Sequence, residues 1–150
     1  MTPSFKGTMR RFSKKAMTLL SQPFIRQARH SPQVKINLLL LYNFYRYAVN
    51  QGYRFPLSDT GFRLYSQFEE DGILLYLFAA IGSENKNFID IGSGDGINSN
   101  CANLTINFGW YGLFIDGNQA NIEKGRHFYE GHPDTWAYPP KFVHAFVTRG

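Results

Sequence analysis

The spacing of hydrophobic positions changes character along the chain, and each change marks an element. Over 32–51 apolar residues run most of the way round a helix, among them the leucines at 38–41, Phe44, Tyr45 and Val49. Ser31 is placed to act as N-cap, Pro32 suits the first helical position, and Gly52 stands where a left-handed residue ends a helix. A helix apolar on so many sides wants partners on more than one of them, which makes it a packing or dimerisation element. Upstream, a basic amphipathic helix is expected over 8–21, ended by Pro23. Residues 53–61 hold Pro56, Ser58, Asp59 and Gly61 and read as a linker, so a boundary is expected between a basic helical segment, 1–60, and a domain that starts at 61.

Beyond that point the pattern becomes regular. Ser66-Gln67-Phe68-Glu69 has capping-box spacing, with the Ser66 hydroxyl and the Glu69 carboxylate satisfying N–H groups at a helix start. Ile73, Leu74, Leu77, Phe78 and Ile81 follow as an apolar stripe that Gly82 closes. A strand over 88–91, a helix over 98–108 with Ile97, Cys101, Leu104 and Phe108 on one face, a strand over 111–116, a helix over 119–130 and a strand over 142–148 complete the reading. Strand, helix, strand, helix, strand with short connections predicts an α/β fold with a parallel sheet and right-handed crossovers.

Composition adds little to this picture except through charge. The chain of 150 residues, 43% hydrophobic and 17% aromatic, can bury a core. Residues 1–58 hold ten Lys and Arg and no acid, whereas 59–150 hold six against eleven acids, so the net charge of +5 belongs to the N-terminal segment. Such a segment reads first as a solvated basic arm. Peripheral membrane contact is the alternative carried forward, and nucleic acid ranks lower. Residues 1–30 share the Arg-rich, acid-free composition of an organelle transit peptide but lack a secretory apolar core and small-residue cleavage pattern. No run reaches the roughly 20 apolar residues that cross a bilayer. One cysteine, Cys101, excludes an internal disulfide framework and a multi-cysteine zinc site and fits a reducing, cytoplasmic setting.

The chemistry lies in Asp90-Ile-Gly92-Ser93-Gly94-Asp95-Gly96, where three glycines let the backbone turn tightly from strand to helix and approach a ligand closely. The dinucleotide fingerprint is G-x-G-x-x-G, and here the third glycine comes one residue early. A pyrophosphate at this turn would also meet Asp90 and Asp95, and like charges repel. S-adenosylmethionine carries an ammonium and a sulfonium with a single carboxylate, and it suits such a turn better, Asp90 serving the ammonium. Asp116 ends the next strand, 20 residues after Gly96, where a carboxylate can accept both hydroxyls of a ribose.

With these residues in view, the chain resembles the FkbM-like branch of class I S-adenosylmethionine-dependent methyltransferases, which have a Rossmann-like fold. The resemblance lies in Tyr65-Ser-Gln-Phe-Glu-Glu-Asp-Gly72, Phe88-Ile-Asp-Ile-Gly-Ser-Gly-Asp-Gly96 and Gly109-Trp-Tyr-Gly-Leu-Phe-Ile-Asp-Gly-Asn118, and covers about residues 61–149. The glycine motif marks the superfamily, and the other two pieces favour the branch. The resemblance implies a seven-stranded sheet, cofactor at the carboxyl ends of its first two strands, and methyl transfer to an oxygen of a sugar or other small metabolite. It carries over Asp90, Gly92, Ser93, Gly94 and Gly96 as the cofactor turn and Asp116 as the ribose acid. For Gln67 and Asp71 it implies a place near the cofactor, beside the plain reading of a capped helix packed on the sheet. The sequence departs from the family by stopping after the third strand, so a fragment holding the first half of the sheet is expected, with its first strand an exposed and aggregation-prone edge.

Weaker signals stay bland. Asn103-Leu-Thr105 matches a glycosylation sequon inside a predicted helix, Cys101 reads as core and not nucleophile, and His30, His127, His132 and His144 show no metal spacing. The loop over 134–140 is a candidate wall for an acceptor pocket, set against local aromatic packing. No residue qualifies as general base. The alternative function is a non-catalytic interaction module using the basic arm and the apolar helix, and a nicotinamide-dependent oxidoreductase comes third.

Overall fold

The computed structural model describes residues 31–148. The helix expected over 8–21 and His30 lie outside the described residues. Contacts group the chain into two units, Met1–Leu39 and Leu40–Gly150. Of the first, the opening turns of α1 (Pro32–Asn50) are described, where the Ser31 hydroxyl accepts the Val34 amide at 3.3 Å and so caps the helix.

In the second unit α1 runs on to Asn50, and Arg54 donates to the Val49 carbonyl at 3.0 Å beyond its end. Tyr45 meets Phe55 and Tyr76 edge-on, with ring centroids 5.3 and 5.2 Å away. The segment 53–61 thus contributes a packed ring and a buried Thr60, and a short 3-10 turn, Leu57–Asp59, lies within it.

Helix α2 (Glu70–Ile81) departs from its sequence reading twice. Its buried side chains are Asp71, Leu75, Tyr76 and Ala79, while Ile81 of the expected stripe is exposed. Almost every position from 73 to 81 is apolar, so periodicity leaves the inward face open and the rings of Tyr45 and Phe55 select Tyr76. Nor does the expected capping box form. Glu70, not Glu69, accepts the Phe68 amide, and Ser66 works with Asp71. Asp71 Oδ2 accepts the consecutive amides of Leu64, Tyr65 and Ser66 at 2.7, 2.6 and 2.8 Å, together with the Ser66 hydroxyl at 2.9 Å. Asp71 is 1% exposed, and this one oxygen holds the 64–66 loop so that Tyr65 enters the core. Replacing it by the neutral isostere in Asp71→Asn keeps the shape and loses the charge assistance. The expected cost is about 1–2 kcal/mol, read as a lower urea midpoint, and an unchanged midpoint would refute this account.

Three parallel strands follow in the order β1 (Asn87–Ile91), β2 (Tyr111–Asp116) and β3 (Lys141–His144). Ile89 pairs with Leu113, and Phe114 pairs in turn with Phe142. The third strand is shorter than the expected 142–148. Its last partner is Asp116, where β2 ends, and past the Ala145 amide bonded to the Asp116 carbonyl there is no strand left to pair with. α3 (Ala102–Phe108) and α4 (Gln119–Glu130) form the crossovers, the latter capped by Asn118, whose side chain accepts the Ala120 amide at 2.9 Å.

Strand alternation assigns the two faces of the sheet. Phe88, Phe114 and Phe142 point to one side, where Phe114 and Phe142 form the core with Ile106 of α3 and Ile122 and Tyr129 of α4, and Tyr65 joins them. The other face carries Ile89, Ile91, Leu113, Ile115 and Val143. There Ile89 and Ile91, 66% and 60% exposed, lie on the open edge strand β1, the edge position expected for the first strand.

Candidate functional site

A parallel sheet collects the carboxyl ends of its strands on one rim, and the sequence puts its polar residues there. Gly92, Gly94 and Gly96 all take positive φ, of 75°, 59° and 68°. Only glycine adopts three such angles in five residues without strain. The turn is tied to β2 by the Gly92 and Ser93 amides, which donate to the Ile115 carbonyl at 2.8 and 3.1 Å. A Cβ added to Gly92 or Gly94 meets nothing within 4 Å, so that side of the turn is open. Gly96 faces inward, where an added Cβ would lie 3.1 Å from the Phe114 ring, and its carbonyl accepts the buried Tyr129 hydroxyl at 2.7 Å. Burial holds the Tyr129 hydroxyl well above its ordinary pKa, with the nearby Tyr65 hydroxyl adding to the effect.

Asp90 and Asp116 stand on either side of this turn in different environments. Asp90 accepts the Ser99 hydroxyl at 2.5 Å, and burial raises its pKa although that bond opposes the shift. Ser99 also accepts the Cys101 amide at 3.0 Å. This pairing explains why α3 begins at Ala102 and not at the expected 98, since the Ser99 side chain is drawn to Asp90 and to the Cys101 amide. α3 has seven residues and begins at Ala102, beyond the glycine turn in sequence.

Asp116 is half-buried and already engaged. Its Oδ2 accepts the Gly94 amide at 3.0 Å, and its Oδ1 accepts the Asn118 amide at 2.9 Å and the Asn121 side chain at 3.3 Å. The Asn118 amide, then Asn121 and Gly94, hold its pKa below the ordinary carboxylate value. Of about four lone-pair positions on a carboxylate one remains. To take both hydroxyls of a diol, Asp116 must release one of its present partners.

Asp95 changes the charge argument. It forms an ion pair with Lys124 of α4 and accepts the Ile97 amide, so the repulsion expected of it toward a phosphate is largely cancelled. Among the described residues Asp90 and Asp116 are the rim acids that make no ion pair with a lysine or arginine. α4 can approach this closely because residue 125 is glycine: a Cβ there would lie 2.3 Å from both the Asp95 carbonyl oxygen and Phe142 Cε1.

Sequence reasoning missed four rim contributors: Lys124, Tyr129, Ser99 and His144. His144 ends β3 opposite Asp116, its Nε2 lies 3.0 Å from the Gly117 carbonyl oxygen, and its charge helps lower the Asp116 pKa. Its place at a strand end was the available signal. Gln67 lines an open hollow of about 610 Å³ with Arg63, Phe68 and Glu70, which includes none of the turn residues. The 134–140 loop enters β3 at its amino end and, with Trp110 and Tyr111, borders a hollow of about 390 Å³ at the opposite end of the sheet from the turn. It is therefore not a wall of this site, and Trp136 and Tyr138 are exposed, not packed.

Burial pushes the Cys101 thiol up to about 12, with the Asp90 charge adding to it, so it is no nucleophile at neutral pH. Asn103 is buried inside α3, which closes the sequon to glycosylation in the folded chain. Among the described residues no group of three or more His, Cys, Asp or Glu could hold a metal ion, and no helix is long and apolar enough to cross a membrane. No protein-family model, curated protein or solved structure matches the chain.

Proposed function

We propose that this chain is the cofactor-binding half of a Rossmann-like class I methyltransferase that uses S-adenosylmethionine and methylates an oxygen of a sugar or other small metabolite. The observation that carries the reading is the open glycine turn at the carboxyl end of β1, flanked by Asp90 and Asp116 and with its one lysine already paired to Asp95. A rim that presents carboxylates and bare backbone fits a cofactor bearing an ammonium and a sulfonium. An ammonium beside Asp90 offsets the burial that raises its pKa. The lysine that reaches the turn, Lys124, is held by Asp95 and so is not free for a pyrophosphate.

Within this reading Asp90 and the Gly92–Gly96 backbone hold the methionine part, and Asp116 holds the ribose after giving up Asn121 or Gly94. Phe146 lies against Gly117, beside Asp116, as an exposed apolar surface for a flat ring. The cofactor supplies an electrophilic methyl group, and the chain supplies alignment. The likeness to the FkbM-like branch supports the acceptor class, and the single free cysteine accords with a cytoplasmic setting.

Titration calorimetry tests the proposal directly. S-adenosylmethionine is expected to bind saturably with a dissociation constant on the order of micromolar, and NADH is expected to give no heat. No cofactor binding at millimolar concentration would sink the reading, and NADH binding in its place would move the chain to the oxidoreductases.

A further inference from the structure

α1 has two apolar faces. One is buried and includes Tyr45 and Ala48. The other is open: Leu40, Phe44 and Tyr47, at intervals of four and three, form one stripe and are 64%, 53% and 67% exposed, although the Phe44 ring also meets Phe55 at 6.0 Å. An aliphatic and two aromatic side chains in line on a solvent-facing helix need an occupant of their own.

Charge selects it. α1 contains no acid, Arg46 stands exposed within it, and residues 1–58 hold ten cations and no anion. A second copy of the chain would add a segment with the same ten cations and no anion, and like charges repel. Nucleic acid would use the cations but gains nothing from Leu40. The geometry points to an anionic lipid bilayer surface as the occupant: the Leu40, Phe44 and Tyr47 side chains enter the headgroup and acyl boundary while Arg46 meets the phosphates. The helix lies in the interface and does not span it. This surface is independent of how the glycine turn is read, so cofactor titration leaves it untouched.

The test is co-sedimentation of the full chain with vesicles of phosphatidylcholine containing about one-third phosphatidylserine. Strong binding is expected that falls as salt is raised, with at least about tenfold weaker binding to pure phosphatidylcholine. Leu40→Ser/Phe44→Ser/Tyr47→Ser is expected to lower the partition by about a hundredfold. Arg46→Glu, which leaves the apolar stripe intact and tests charge separately, is expected to lower it about tenfold. The proposal is overturned by the absence of binding to anionic vesicles, by equal binding to both kinds, or by a triple variant that binds as the natural sequence does. A dimer in sedimentation equilibrium that the triple variant dissolves would assign the stripe to a second copy instead. Salt-sensitive DNA binding that the triple variant leaves unchanged, without vesicle binding, would likewise overturn it.

Discussion

Gly125→Ala is expected to lower the stability of the fold by roughly 2–3 kcal/mol, a large fraction of what a domain this size possesses. The new Cβ would stand 2.3 Å from the Asp95 carbonyl oxygen on one side and from Phe142 Cε1 on the other. The first belongs to the backbone of the turn and the second to a buried ring of the core, so neither can step aside alone. α4 must lift, and with it go the Lys124 ion pair to Asp95 and the Tyr129 hydrogen bond to Gly96. A urea midpoint lowered at constant slope is the expected reading. A midpoint equal to that of the natural chain would mean that α4 is not seated as described.

Asp116→Ala is expected to weaken S-adenosylmethionine binding by about a hundredfold, since two hydrogen bonds from ribose hydroxyls to a charged acceptor contribute on the order of 3 kcal/mol together. Calorimetric titration of both proteins measures it, with the urea midpoint of the variant as control. Asp116 is half-buried at the rim and lies outside the aromatic core, so the fold should survive its loss. The expected pH dependence follows from the direction of its shift. Its pKa is depressed by the Asn118, Asn121 and Gly94 donors, so the carboxylate stays charged as pH falls through the ordinary carboxylate range. The Asp116 contribution to binding is therefore flat from neutrality down to that range and is lost only below it. Unchanged affinity in the variant would remove Asp116 from the site while leaving the glycine turn to be judged by the cofactor titration itself.

Local chemistry explains what could be read in advance. The three strands, α4 and the glycine turn all depend on residues a few positions apart. Period, cap and turn preferences act over that range. The start of α3 was misplaced because Ser99 bonds to Asp90, nine residues back across the turn, and that bond displaces the first turn of helix. The inward face of α2 was misassigned because its positions are apolar nearly throughout, leaving the choice to Tyr45 and Phe55, which come from other segments. At the rim, Asp90 and Asp116 were visible as strand-end acids. Lys124 and Tyr129 were not, because they reach Asp95 and Gly96 across 29 and 33 residues through the docking of α4. The same docking neutralises Asp95, which the sequence alone presents as a free acid.

Both crossovers return over the same face of the sheet, leaving Ile89, Ile91 and Val143 in contact with solvent on the other. Calorimetry gives this bare face a distinct meaning. The heat capacity of unfolding comes mainly from apolar groups that pass from a dry interior into water. The outer atoms of these side chains are hydrated before unfolding begins, so they contribute little to that increment, which comes instead from the aromatic layer between the sheet, α3 and α4.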